Sequence, residues 1–117
     1  MNIESLREYC LLKKGTTESF PFDETTLVFK VMNKMYALVN LEGRLSVNLK
    51  CNPEIAVSLR EEYAFIVPGY HMNKQHWNTI YIDDLVPDQL VKQWIDHSYD
   101  LIVKNLTKSQ KQLLETL

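Results

Sequence analysis

Alternation and helical spacing divide the chain into a short succession of elements. From Asn2 to Lys13, Ile3, Leu6 and Cys10 share one face with Tyr9 at its edge. This predicts a first helix with Asn2 as N-cap, stopped at Gly15. Thr16 to Phe22 has no periodicity and is read as an irregular crossing to the sheet. Three predicted strands follow. Thr26–Met32 alternates Leu27, Phe29 and Val31 with Val28, Lys30 and Met32, and Met35–Leu41 is apolar at nearly every position. Arg44–Cys51 sets Leu45, Val47, Leu49 and Cys51 against Arg44, Ser46, Asn48 and Lys50. The turns between them, Asn33-Lys34 and Glu42-Gly43, are so short that neighbouring strands must run antiparallel.

Asn52-Pro53-Glu54 is a strong helix start: a capping side chain, proline at the first helical position, and an acid at the positive end of the dipole. The helix is expected to end near Tyr63. Phe65–Val67 reads as a short strand before a Pro68-Gly69 turn, and Trp77–Ile82 separates Ile80 and Ile82 from Trp77, Thr79 and Tyr81. Pro87 opens a long last helix with Leu90, Val91, Trp94, Ile95, Ser98, Leu101 and Ile102 in one stripe. Thr107-x-x-Gln110 is a capping-box pattern and predicts a short terminal helix. The order is α-β(3)-α-β(2)-α with a helical tail over 107–117, in one domain spanning 1–117. A two-layer α+β sandwich is predicted, its mainly antiparallel sheet carrying helices on one face and the other open to water or a partner.

Composition narrows the function classes. Lys and Arg number 13 against 15 Asp and Glu in 117 residues, a formal charge of -2, which excludes a strongly basic nucleic-acid coat protein. No apolar run reaches the ~18 residues a membrane helix needs, and the start MNIESLREYC does not read as a signal peptide. The two cysteines, Cys10 and Cys51, offer no disulfide framework and no CxxC site. A cytoplasmic, monomeric protein without membrane contact is expected.

Several stretches carry a recognisable pattern: Phe20-Pro21-Phe22, Leu27-Val28-Phe29-Lys30-Val31, Lys34-Met35-Tyr36-Ala37-Leu38 and Val47-Asn48-Leu49-Lys50-Cys51. The most specific are Pro68-Gly69-Tyr70-His71-Met72-Asn73-Lys74-Gln75-His76-Trp77-Asn78-Thr79 and His97-Ser98-Tyr99-Asp100-Leu101-Ile102-Val103. In these the chain resembles the YjbR/MmcQ family of small bacterial proteins, described as predicted DNA-binding proteins with a double-wing motif. The resemblance spans nearly the whole chain to Asn105 and leaves the tail outside. It implies an α-β(3)-α-β(2)-α fold similar to secretion-chaperone and frataxin-like proteins, and DNA as the ligand.

The residues themselves point to one candidate surface. Between Ile66 and Tyr81, His71, Lys74 and His76 are interleaved with Tyr70, Trp77 and Tyr81, with no acid among them. Basic and aromatic side chains together suit phosphate contact and base stacking, and Asn73, Gln75 and Asn78 add amides. Alternation puts Lys30, Arg44 and Lys50 on the sheet face away from the helices. The candidate nucleic-acid site is therefore Lys30, Arg44, Lys50, Tyr70, His71, Asn73, Lys74, His76, Trp77 and Asn78. The structural alternative is that Tyr70 and Trp77 pack and the lysines only solubilise. Three or four phosphate contacts would give a log-log salt slope of only about -3 to -4, hence weak binding.

His71 and His76 are five apart and a loop could bring two of the three histidines, with His97, together, but transition-metal sites typically need three or four ligands and no Cys or acid sits at ligand spacing, so no metal or cofactor is expected. Cys51 is expected to point inward, where thiols are inert, and no P-loop, GxGxxG, GxSxG or HExxH pattern occurs, so no catalytic residue is assigned. The rival reading is a protein- or peptide-interaction module, since the implied fold resembles secretion chaperones and a sheet face or free edge can capture extended polypeptide.

Overall fold

The computed structural model describes residues 1–70 and 72–117. Helix α1, Ile3–Leu11, starts at the predicted cap, where the Asn2 side chain accepts from the Ser5 N–H and the Ser5 hydroxyl reciprocates at Asn2. Six strands follow in two groups: β1 Thr16–Ser19, β2 Thr26–Val31, β3 Lys34–Asn40 and β4 Ser46–Lys50, then β5 Ile66–Pro68 and β6 Trp77–Tyr81. Between the groups lies α2, Pro53–Glu62, capped by the Asn52 side chain. Helix α3, Asp88–Lys104, and the short α4, Lys108–Glu115, close the chain. The Thr107–Gln110 capping box forms as predicted.

All strand pairs are antiparallel, in the order β1-β2-β3-β4-β6-β5. The helix α2 carries the chain across to β5, and β6 fills the place between β4 and β5. The predicted α+β class holds, with one added element: Thr16–Ser19, expected to be irregular, is an edge strand. The β2–β3 turn is Met32-Asn33 rather than Asn33-Lys34. Both residues have positive φ, 48° and 64°, the geometry whose twist suits a two-residue hairpin.

One face of the sheet supplies Leu27, Phe29, Val31, Ala37, Val39, Val47, Leu49, Ile66 and Ile80 to the core, against Leu6, Cys10, Val91, Ile95 and Ile102 of the helices. The tail belongs to this core. Leu114 is buried and lies over Gly15, whose φ of +71° turns the chain out of α1. The β2–β3 register shifts between Phe29 and Lys30, so Tyr36 is an extra residue on β3. Tyr36 is fully buried; its hydroxyl donates to the Cys10 carbonyl at 3.0 Å, and its ring meets Tyr99 edge-on at 5.3 Å. Beside this bulge the fully buried Ser98 hydroxyl donates to the Tyr36 carbonyl at 2.6 Å and accepts from the Lys50 N–H at 2.9 Å. A helix side chain thus joins β3 to β4 beyond the last paired residues, Ala37 and Leu49.

Candidate functional site

The sheet face away from the helices is not the open plane expected from sequence. Val28, Leu38 and Trp77 form a second buried cluster there, with Met35 and Met72 packed against it. Gly69 and Asn73 both bond back to Trp77: the Gly69 N–H donates to the Trp77 carbonyl at 2.8 Å, and the Trp77 N–H donates to the Asn73 carbonyl at 2.9 Å. A Cβ on Gly69 would sit 2.8 Å from the Trp77 Cβ and 2.9 Å from its carbonyl oxygen, so only glycine permits this approach.

What remains of the face is a cleft of about 710 Å³. Register places its floor in two cross-strand rows. Thr26, Asn40, Ser46 and Tyr81 make one; Leu38, Asn48 and Thr79 lie in the other. Phe22, Asp23 and Thr25 form one wall, and Tyr70 and Met72 the other. Phe22 and Tyr70 are 65% and 67% exposed, so two aromatic side chains stand at the rim. The carboxylate in the wall is occupied: Asp23 Oδ1 accepts from the backbone N–H groups of Thr25 and Thr26 at 2.9 and 2.7 Å, and Oδ2 from the Thr26 hydroxyl at 3.2 Å. These bonds, the Thr25 N–H first, hold its pKa below the usual carboxylate value.

Of the predicted site residues, Lys30 and Lys50 fall on this face. With Met35 and Trp77 they make a further row at the end of the cleft, Lys30 opposite Met35 and Lys50 opposite Trp77. Two strand spacings put the two lysine backbones about 10 Å apart. Neither lysine makes an ion pair among the described residues. Tyr70 is at the rim. Lys74 and His76 lie on the connecting loop at the same end of the sheet; the Lys74 ammonium donates to the Gly69 carbonyl at 3.1 Å and borders a shallow groove with Pro53, Val57 and Arg60. His71 lies outside the described residues.

Two of the predicted residues, Trp77 and Asn78, are buried, and two others, Asn73 and Arg44, have partners within the chain. Trp77 is only 8% exposed and packs under Met72, so it offers no stacking face. Asn78 points to the helix side, where its Nδ2 donates to the Ala56 carbonyl at 3.3 Å and its Oδ1 has no partner among the described residues. The Asn73 carboxamide oxygen accepts from the Gln75 N–H and so serves the loop's own turn. Arg44 sits at the opposite end of β4 from Lys50, about 20 Å away at the rise of a strand. Its guanidinium lies 4.4 Å above the Tyr81 ring and 3.6 Å from the Asp83 carboxylate. Residues that the sequence reading left out of the site, Phe22, Ser46, Asn48 and Thr79, build the cleft instead.

Both thiols are withdrawn from solvent. Burial pushes the Cys10 thiol up to about 12 and the Cys51 thiol up to about 11. His97 Nε2 accepts from the Asn52 N–H at 3.3 Å. Among the described residues no three His, Cys, Asp or Glu side chains come together as metal ligands, and no helix is long and apolar enough to cross a membrane.

Comparison with known proteins agrees with the resemblance noted from sequence. The family model described as YjbR matches residues 11–101. The uncharacterised protein YjbR of Escherichia coli strain K12 is 36% identical over the full length of both chains. The uncharacterised YyaQ of Bacillus subtilis strain 168 is 30% identical over 84% of this chain and 95% of its own. The crystal structure of the Deinococcus radiodurans protein DR2400, a DUF419 domain, has a TM-score of 0.90 at 39% identity, covering 97% of this chain and 88% of that one. A family model running from the end of α1 through most of α3, with relatives matched from end to end, shows that the chain belongs to the YjbR family.

Proposed function

We propose that this protein is a cytoplasmic, monomeric, non-enzymatic DNA-binding protein whose contact runs over the cleft face of the sheet. The observation that carries the reading is the row of Lys30 and Lys50, free of ion pairs among the described residues, at the end of a cleft rimmed by Phe22 and Tyr70. Lysines outside and aromatic and amide groups inside divide the work as nucleic-acid recognition does, with phosphates positioning the strand and bases meeting flat or polar surfaces. The resemblance to double-wing DNA-binding proteins implies the same ligand. Affinity is low on this reading. Lys30, Lys50 and Lys74 together would give a log-log salt slope between about -2 and -3, since Arg44 is engaged elsewhere.

The test is fluorescence anisotropy with labelled duplex and single-stranded DNA across a salt series, comparing the native protein with a Lys30→Glu, Lys50→Glu variant shown by circular dichroism to be folded. Binding with a slope in that range, lost in the variant, supports the reading. No binding at low salt refutes it and favours a peptide partner. Such a partner would pair with the β1 edge, Thr16–Ser19, and be indifferent to the two lysines.

A further inference from the structure

We infer that the cleft receives one unpaired base of a nucleic-acid strand, held through the base's acceptor atoms by the Asn48 amide; this rests on the DNA-binding reading and narrows it to single strands. The cleft's size, about 710 Å³, lies within the range that small organic groups occupy. Its described lining carries no cationic side chain for a phosphate. Asp23 is the one Asp, Glu, Lys, Arg or His side chain among its described lining residues, and both its oxygens are already bonded. A neutral group is favoured inside, with the charged backbone left outside near Lys30 and Lys50.

A hydrogen-bond relay fixes what the cleft presents. The Tyr70 N–H donates to the Thr79 hydroxyl at 3.0 Å, and that hydroxyl donates in turn to Asn48 Oδ1. The Tyr70 N–H takes one lone pair of the Thr79 hydroxyl, and with the Thr79 proton directed at Asn48 Oδ1 the amide turns its Nδ2 away from Thr79. Asn48 Nδ2 is left as a donor with no acceptor among the described residues, on a floor that also carries the Ser46 hydroxyl. Donors call for acceptors, and every base edge carries ring-nitrogen or carbonyl acceptors. Leu38 and Met35 in the floor and Phe22 in the wall give the ring apolar contact and a stacking partner. In a duplex the bases are stacked and paired, and reach such a cleft only after being flipped out.

Two measurements test this. In the first, isotope-labelled protein is titrated with adenosine and cytidine, which carry no phosphate. The expected result is a saturable shift of the Asn48 side-chain amide and the Tyr70 and Thr79 backbone amides, retained in the Lys30→Glu, Lys50→Glu variant and lost in Phe22→Ala. In the second, anisotropy should show single strands bound at least tenfold tighter than duplex, with Phe22→Ala or Asn48→Ala removing that ratio. Phe22 is exposed, so its variant keeps the test open if Asn48→Ala fails to fold. Lysine-dependent binding with equal affinity for strand and duplex overturns the inference and leaves the DNA reading standing. Shifts caused by short peptides but not by nucleosides also overturn the inference. No oligonucleotide binding at all overturns the DNA reading and the inference with it.

Discussion

Replacing Ser98 by alanine isolates the bond that joins α3 to the centre of the sheet. The hydroxyl is fully buried, and it serves the Tyr36 carbonyl at 2.6 Å and the Lys50 N–H at 2.9 Å. Ser98→Ala removes one atom and strands two backbone groups. The space freed is smaller than the ~10–15 Å³ a water needs, so solvent is a poor substitute. Leaving a buried donor or acceptor unpaired costs about 1–3 kcal/mol each. Allowing for partial relaxation of Lys50 near the sheet's end, the expected loss is about 3 kcal/mol. Urea denaturation should show it as a lower midpoint at unchanged slope. Native-state hydrogen exchange should show the Lys50 amide losing protection beyond the global change. The control is Ser58→Ala, whose hydroxyl bonds back to the Glu54 carbonyl on the exposed face of α2 and should matter by less than about 0.5 kcal/mol. If Ser98→Ala costs no more than Ser58→Ala, the bridge contributes nothing and the reasoning fails.

Gly69→Ala forces a methyl against the Trp77 Cβ and carbonyl, and should cost about 1–3 kcal/mol while lifting the loop; acrylamide quenching of tryptophan emission would rise in the folded variant and stay unchanged if the contact is unimportant. Leu114→Ala tests whether the tail is part of the core: loss of a buried leucine over Gly15 and Val31 should cost about 2–4 kcal/mol, read by thermal melting, against no change for a detached tail. Stability should fall as pH rises above about 9, because unfolded thiols ionise near 8.5 whereas burial keeps Cys10 and Cys51 protonated to about 12 and about 11. The folded state then binds more protons than the unfolded one, and each thiol lowers stability by up to about 1.4 kcal/mol per pH unit until its folded pKa is reached. A folded Cys10→Ala, Cys51→Ala variant should show a flatter alkaline limb, and an equal slope would refute the assignment.

The elements that sequence made legible are those whose burial follows a period. Leu45, Val47, Leu49 and Cys51 against Ser46, Asn48 and Lys50, and the stripe from Leu90 to Ile102, needed only alternation or helical spacing. Strand β1 was hidden because Thr16-Thr17-Glu18-Ser19 has no apolar residue. It is held by the ladder to β2 and by the Arg7–Glu18 ion pair, neither of which leaves a local pattern. The site was less legible. Asn78 shares its parity with Ile80 and Ile82, so its inward direction was present in the pattern and was outweighed by its neighbours' polarity. Trp77 was undecidable from alternation alone, because what buries it is Met72, reached through the return of the chain at Gly69. The signal for the cleft was the kind of polar residue on the far face. Ser46, Asn48 and Thr79 are short and uncharged, which suits a floor better than a solvated surface.

The Ser98 bridge also governs the order in which the sheet can be completed. Tyr36 and Lys50 belong to the first half of the chain, yet the hydroxyl that joins them arrives 62 residues after Tyr36. As the chain emerges from the ribosome, the β2–β4 meander can form from local turns, but the Tyr36 carbonyl at its bulge lacks its Ser98 partner until α3 is made. A truncated chain ending before Ser98 would hold the early strands with that seam unsealed. The last long helix is therefore a closing piece for the sheet, tying strands made early in the chain to a hydroxyl made late.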